Sequence, residues 1–238
     1  MTSRLVQWCI AADDPGAVMR FWAGLLGWSV VAPREDRVIT PPDDTGFDLR
    51  FVPATEPKTG PNRVHPDLTS GSRADQELTV ARALDLGART IDIGQRPEEG
   101  HVVLADPEGN EFCVIGPGNR FLADCGFVGA LACDGTQGVG YFWSRALDWP
   151  LVWDQDEETA IRSPHGGPKI SWGGPPVAPK VWRNRWHPHL EAVDVEDEVE
   201  RLLGLGARHD DTQMYVDGVP FLDPDGNEFC LLTARPSR

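Results

Sequence analysis

The chain has 238 residues and a formal net charge of −15, from 22 basic and 37 acidic residues. This acidity opposes binding to phosphate backbones and anionic membranes, so we expect no nucleic-acid partner and no membrane partner. Hydrophobic residues at 40% and charged residues at 25% are ordinary proportions for a soluble globular protein. The N-terminus lacks the apolar segment of a signal peptide, and no apolar run approaches the roughly 18 residues of a membrane span. We therefore expect a cytoplasmic protein.

The first quarter of the chain predicts one strand–helix–strand–strand–strand unit. Residues 5–12 alternate in polarity, which predicts a strand with Gln7 and Cys9 on one face. Asp14-Pro15 suits the start of a helix, and Gly27 suits its end. Three further strands are expected at 28–31, 37–40 and 47–52, separated by clusters of Pro, Asp and Gly.

The same pattern restarts near residue 63 and then repeats in the rest of the chain. The octapeptide 106–113, DPEGNEFC, recurs as DPDGNEFC at 223–230, an offset of 223 − 106 = 117 residues. Neighbouring landmarks repeat at similar offsets, which indicates a tandem duplication. We expect two domains of similar size at 1–118 and 123–235, each with two units, joined near Pro117–Asp124. Residues 53–61 and 173–179 are expected to connect the units within each half.

Period-two alternation assigns the polar faces of the strands, which we expect to bind a ligand. Glu111 and Cys113 share one face, as do Glu228 and Cys230. Tryptophans are concentrated in the second half, and Trp172 is a candidate for the wall of an aromatic pocket. The predicted ligand-binding residues are Gln7, Asp48, Arg50, His65, Asp67, Glu111, Cys113, His187, His189, Glu228, Cys230 and Trp172.

The four units, an Asp-Pro helix start, a Phe-Trp pair before Leu-Gly-Trp and the closing Asp-Pro-x-Gly-Asn segments together resemble the vicinal oxygen chelate superfamily. This superfamily includes glyoxalase I, bleomycin-resistance proteins and extradiol dioxygenases. The resemblance covers nearly the whole chain. It implies an α+β fold of four tandem βαβββ units that form two cupped eight-stranded mixed sheets, with helices on the outside and the ligand inside.

The resemblance also implies where a metal ion would bind. Metal-using members place a His on the first strand, a His on the strand that opens the second unit, and a Glu on the last strand. The matching positions are Gln7, His65 and Cys113 in the first half, and Val128, His187 and Cys230 in the second. Because two of three donors are replaced in each half, we expect no metal cofactor. The alternative is a divalent ion such as Zn, Fe, Ni or Mn, held by Gln7, His65, Glu111 and Cys113.

Two functional hypotheses follow. The first is a protein of the bleomycin-resistance type that binds a small organic metabolite or antibiotic, with cationic ligands favoured by the acidic residues near the cups. The alternative is an enzyme: a metal-dependent lyase, isomerase or dioxygenase, or a metal-free catalyst with His65 or His187 as general base. A structural hydrogen bond is an equally suitable role for either histidine. A monomer and a homodimer are both compatible with the sequence.

Overall fold

The computed structural model describes residues 3–31, 37–94, 96, 99–177, 179–212 and 218–234. The outer limits of the two predicted domains, residues 1 and 235, lie outside these ranges. Among the described residues, no helix is long and apolar enough to cross a membrane.

Within the described ranges, four helices and sixteen strands follow one another in the order that the repeat predicts. The first half contains β1 (Arg4–Ala12), α1 (Pro15–Leu26), β2 (Ser29–Val30), β3 (Val38–Thr40), β4 (Asp48–Pro53), β5 (Val64–Leu68), α2 (Arg73–Asp85), β6 (Arg89–Thr90), β7 (Val102–Ala105) and β8 (Glu111–Val114). The second half contains β9 (Val128–Cys133), α3 (Gln137–Leu147), β10 (Leu151–Gln155), β11 (Glu158–Ser163), β12 (Gly166–Trp172), β13 (Trp186–Ala192), α4 (Val195–Leu205), β14 (Arg208–His209), β15 (Gly218–Leu222) and β16 (Glu228–Thr233).

These strands form two eight-stranded mixed sheets, which confirms the predicted α+β fold. Sheet A has the order β14-β15-β16-β13-β1-β4-β3-β2, and sheet B the order β10-β11-β12-β9-β5-β8-β7-β6. Each sheet therefore joins one unit from each half of the chain. The seams are the antiparallel pairs β1–β13 in sheet A and β5–β9 in sheet B. As a consequence, each cup is built from both halves rather than from one.

The repeated Asp-Pro-x-Gly-Asn segment fixes a turn and ties it to a helix. Asp106 Oδ1 accepts a hydrogen bond from the Asn110 backbone N–H at 2.9 Å, while its Oδ2 accepts one from Trp22 Nε1 on α1 at 3.2 Å. In the second half, Asp223 accepts from Trp143 Nε1 on α3 at the same distance. The Phe-Trp pairs and the Asp motifs thus recur together because, in each half, the helix tryptophan donates a hydrogen bond to the motif aspartate.

The apolar faces of both sheets and the helices share one hydrophobic core. Trp22 of α1 and Trp186 of β13 meet edge to face with ring centroids 5.4 Å apart, so the two halves interlock there. Trp172 is 3% exposed and lies in this core. It alternates with Ser171 along β12 and lies on the apolar face of that strand, where it lines a narrow internal cavity with Trp143 and Trp186, so its predicted role in an aromatic pocket stays a prediction. The polar faces of the two sheets point away from the shared core.

Candidate functional site

The polar face of sheet A, which we call cup A, is formed by two rows of side chains across four adjacent strands. The first row contains Cys230, His189, Gln7 and Asp48, and the second contains His187, Cys9 and Arg50. Residues from both ends of the chain meet here because β1 pairs with β13 on one side and β4 on the other. Seven potential hydrogen-bonding groups therefore share one surface.

Three of these residues converge closely. Donor atoms of Cys9, His187 and His189 all lie within 4.8 Å of one another, and all three residues are buried. The two histidine Nε2 atoms are 3.1 Å apart. Cys9 was not among the predicted site residues, although alternation along β1 already put it on the same face as Gln7. The signal that the sequence lacks is the pairing of β1 with a strand about 180 residues away.

Burial keeps this cluster uncharged near neutral pH. It lowers the pKa of His187 well below its ordinary value, with the nearby His189 and Arg183 acting in the same direction. Burial, with the charge of Arg50, lowers the pKa of His189 to about 4. Burial raises the pKa of the Cys9 thiol to about 12 despite the opposing charge of Arg50. The cluster thus presents two neutral imidazoles and a thiol.

The polar face of sheet B, which we call cup B, carries a different set of side chains. Its rows are Cys113, Asp67, Ala130 and Lys169, and beside them His65, Ala132 and Ser171. His65, Asp67 and Cys113 also bring donor atoms within 4.8 Å of one another. His65 Nε2 lies 3.4 Å from Asp67 Oδ1. Burial disfavours a charged His65, but hydrogen bonds to Asp67 and Cys113 outweigh it and raise the His65 pKa.

The segment that joins the two halves packs against cup B. Lys169 Nζ donates to the Phe121 backbone carbonyl and lies 4.5 Å from the Phe121 ring centroid. Arg162 donates to the Asp124 carbonyl at 2.5 Å, and Leu122 is only 4% exposed. Part of cup B is therefore occupied by the chain itself. A cavity of about 380 Å³ lies at this junction, lined by residues 69–71, 115–116, 118–120, 122–123 and Cys125.

The predicted metal set of Gln7, His65, Glu111 and Cys113 is wrong as a set. Gln7 lies in sheet A, whereas the other three lie in sheet B, because the first strand pairs with β13 and not with β5.

The structural counterpart of Gln7 in the second half is Ala130 rather than Val128, the residue that the repeat offset indicated. Gln7 lies opposite His189 across its seam, and Ala130 lies opposite Asp67, the corresponding residue of the other seam.

The two motif glutamates anchor connecting segments. Glu111 accepts hydrogen bonds from Lys58 Nζ at 2.9 Å and from the Asn62 backbone N–H at 3.1 Å. Glu228 accepts one from Lys180 Nζ at 2.7 Å. Their charges are thus compensated locally, which removes much of the argument for a cationic ligand. The other predicted residues Asp48 and Arg50 lie in cup A, and burial raises the pKa of Asp48.

A cavity of about 220 Å³, which we call cavity A, lies beside His187 in cup A. Its walls are Ala11, residues 52–58 and residues 182–185, so the connection between β4 and β5 and the connection between β12 and β13 both contribute. The lining includes three cations, Lys58, Arg183 and Arg185, and one carboxylate, Glu56. Trp182 adds an aromatic surface. None of these five residues was predicted, because loop residues carry no strand alternation from which a direction could be read.

Comparison with known proteins agrees with this architecture. The family profile described as "Glyoxalase-like domain" matches residues 7–115 and 129–232. Glyoxalase I from Zea mays shares 13% identity at a TM-score of 0.64, over 98% of this chain and 92% of the other. A putative dioxygenase from Bacillus subtilis shares 16% identity at a TM-score of 0.57, over 99% and 86%. A search of curated proteins gave no match.

The solved structures are similar to this chain in fold alone, since their identity is below 25%. The family profile matches the chain in two separate regions, which together cover most of it. Both matched regions contain the βαβββ units, the helix tryptophans and the closing Asp turns described above. The chain therefore belongs to the glyoxalase-like domain family of the vicinal oxygen chelate superfamily.

Proposed function

We propose that cup A binds a small organic metabolite that carries an anionic group, and that it does so without the His and Glu metal donors of the superfamily. The observation that carries this proposal is cavity A, with Lys58, Arg183, Arg185 and Trp182 in its lining next to His187. Its volume of about 220 Å³ is just below the range of roughly 300–1,000 Å³ usual for ligand pockets, which favours a small ligand.

Each cation around cavity A already contacts a carboxylate: Lys58 contacts Glu111, Arg183 contacts Asp210 and Arg185 contacts Asp13. The support for an anionic ligand therefore comes from the N–H donors that remain on the two guanidinium groups. Arg183 contacts Asp210 Oδ2 through both terminal nitrogens at 3.2–3.3 Å, and Arg185 donates to the Ala11 carbonyl at 3.1 Å. A guanidinium has five N–H donors, more than these bonds use, and its planar fork suits a carboxylate. Trp182 offers a flat apolar surface to the rest of the ligand. This arrangement reverses the earlier expectation of a cationic ligand.

The superfamily's metal donors do not fit cup A. The positions that the resemblance implies there are Gln7, His187 and Cys230, which provide an amide, an imidazole and a thiol. A hard divalent ion prefers oxygen donors, and Glu228, the nearest motif glutamate in sequence, is bound by Lys180. Ligand binding is accordingly assigned to cavity A and not to a metal at those positions.

A thermal-shift experiment on EDTA-treated protein tests the proposal. The panel contains small aromatic and aliphatic carboxylates together with their uncharged primary amides. At about 100 times its Kd, a bound carboxylate contributes about 2.7 kcal/mol, which raises Tm by roughly 5–10 °C in a chain of this size. Arg183→Gln should remove the shift, while the matched variant Arg162→Gln beside cup B should keep it. Shifts that amides produce equally, or that Arg183→Gln retains, would contradict an anion site.

The Cys9–His187–His189 cluster favours an enzyme as the second candidate. His187 lines cavity A, and its uncharged ring places a proton acceptor beside a bound ligand, a weak one because burial lowers its pKa well below the ordinary value. An enzyme of this kind would turn over α-ketoaldehydes, catechols or epoxides and would lose that activity in His187→Ala while still binding carboxylates. If the protein binds carboxylates but turns over none of these substrate classes, the result supports the first candidate, a binding protein without catalysis.

A further inference from the structure

We propose that Cys9, His187 and His189 form a binding site for a thiophilic divalent metal ion, with Zn²⁺ as the best-matched ion. This inference goes beyond the proposed function and does not depend on the organic ligand. Cys9 and His189 are outside the donor positions that the superfamily resemblance implies. The site shares His187 with the implied set and differs from it in the other two donors.

The geometry of the three donors suits a tetrahedral ion. Cys9 lies directly opposite His187 in the β1–β13 pair, and His189 follows two residues later on the same face. All three donor atoms fall within 4.8 Å of one another. With Zn–N bonds of about 2.0–2.1 Å, two tetrahedral nitrogen ligands stand about 3.3 Å apart. The observed Nε2–Nε2 distance of 3.1 Å thus needs only a small adjustment.

The chemistry of the donors selects the kind of ion. Imidazole nitrogen and thiolate sulfur favour Zn²⁺, Co²⁺ and copper over Mg²⁺, Ca²⁺ and Mn²⁺, which prefer oxygen. On binding, the ion takes the place of the thiol proton of Cys9, which leaves to solvent. The proton between the two Nε2 atoms moves to Nδ1 of the ring that carried it, so both imidazoles stay neutral and bind the ion through Nε2. Arg50 is paired with Cys9 across β1 and β4 and offsets the charge of the thiolate.

A fourth coordination position would face cavity A. His187 belongs both to the three-donor cluster and to the lining of that cavity. Three protein donors with one open position are typical of zinc sites that bind water or a ligand, whereas structural zinc sites have four. The ion would therefore be reachable by water or by a small molecule through cavity A.

Cup B provides an internal comparison. The residue opposite His65 across its seam is Ala132, so the counterpart of Cys9 has no donor atom. Asp67 stands where cup A has His189, since Asp67 is paired with Cys113 as His189 is with Cys230. The Cys–His–His set is thus found in cup A, whereas cup B brings together His65, Asp67 and Cys113 at the same spacing, with one carboxylate in place of an imidazole. Cys9→Ala converts this position of cup A to the residue that cup B already carries.

Titration of the metal-stripped full-length protein with CoCl₂ under argon tests the inference. A tetrahedral thiolate site gives a sulfur-to-cobalt charge-transfer band in the near ultraviolet and intense visible d–d bands. We expect one Co²⁺ per chain, loss of the charge-transfer band in Cys9→Ala, and its retention in the cup B variant Cys113→Ala. Zn²⁺ should displace the cobalt and bleach the spectrum, whereas Mg²⁺ should not.

Three outcomes would overturn the site: no charge-transfer band in folded wild-type protein, a band that survives Cys9→Ala, or a band that Cys113→Ala removes. Should Cys9→Ala fail to fold, X-ray absorption of the zinc-loaded wild-type protein gives the same answer, with one sulfur and two imidazole ligands expected. Neither experiment uses a carboxylate ligand. Failure of the metal site and failure of the anion site are therefore observed separately.

Discussion

The two aspartates that open the repeated motif hold turns and helices rather than a ligand. Asp106 and Asp223 are 0% and 1% exposed, and each accepts hydrogen bonds from its own turn and from a helix tryptophan. Burial raises the pKa of Asp223 to about 6, although hydrogen bonds from Asn227 and Trp143 oppose it. The repeated octapeptide, the most conspicuous feature of the sequence, therefore has a structural role: its aspartate connects the turn to a helix.

Asp223→Asn should change the pH dependence of stability in a defined direction. The folded pKa of about 6 exceeds the ordinary value of 3.8, so the folded state binds this proton more tightly than the unfolded state does. The resulting stabilisation is complete below pH 3.8 and is lost as the pH rises through 6. A shift of roughly two pKa units corresponds to about 3 kcal/mol. The wild-type free energy of unfolding, relative to the variant, should fall by about that amount between pH 4 and pH 7.

Urea denaturation of both proteins at pH 4, 5, 6 and 7 measures this difference. The exposed Asp85→Asn on α2 is the control substitution of the same type. A flat profile for Asp223→Asn would mean that this carboxyl is ionised in the folded protein throughout the range.

Residue faces could be predicted from the sequence, whereas residue partners could not. Alternation correctly put His187, His189 and Gln7 on polar strand faces, because a side chain's direction in a strand depends on its neighbours alone. It gave no information on the pairing of β1 with β13, so Gln7 was grouped with His65 and Cys9 was passed over. Glu111 was expected at the ligand for the same reason, since nothing local indicates its bond to Lys58.

At the scale of elements, the connection between β4 and β5 packs against the connection between β12 and β13, and the two form the wall of cavity A. Gly60 packs directly against the Trp182 ring, so a Cβ at position 60 would lie 2.3 Å from a ring carbon. Trp182 Nε1 also donates to the Pro61 carbonyl at 3.2 Å. Contact this close requires glycine at position 60, because any larger side chain must displace the indole.

Gly60→Ala should therefore destabilise the protein and weaken ligand binding together. Overpacking of this kind costs about 1–3 kcal/mol, and movement of Trp182 would alter one face of cavity A. Gly173→Ala is the matched control, since its Cβ would meet nothing within 4 Å. Urea denaturation and the carboxylate-induced Tm shift provide the two readouts. If Gly60→Ala kept the full Tm shift, Trp182 would have no part in ligand binding.

The junction segment is a second element, and two basic side chains of sheet B, Lys169 and Arg162, hold its backbone. Lys169 donates to the Phe121 carbonyl and lies over the Phe121 ring, which joins the segment to β12. Lys169→Met keeps the aliphatic stem but removes the hydrogen bond and the cation–π contact, at an expected cost of about 1–2 kcal/mol. Limited proteolysis should then cut within residues 119–125 faster than in wild type. Arg20→Met, on helix α1, serves as control and should leave that rate unchanged.

At the scale of the whole molecule, the duplication and the pairing of units are separate facts. The repeat at 106–113 and 223–230 predicted four units and two sheets, since each half must use the same local interactions. Which units share a sheet depends on contacts between residues far apart in the chain, such as Leu5 with Leu190 and Val64 with Cys133. Both ways of pairing the units satisfy the same local pattern, so the sequence does not distinguish them.

Because each sheet contains one unit from each half, a chain that is cut between its halves should stay assembled. A protease site inserted between Gly118 and Asn119, which are both exposed, would divide the protein into fragments that still share both sheets. Because the β1–β13 and β5–β9 seams and the Trp22–Trp186 contact all cross the cut, the fragments should remain together. Native gel filtration of the cleaved protein should show one species of uncut size, and the fragments should separate only in denaturant. Two folded species that separate under native conditions would mean instead that each half pairs its own units.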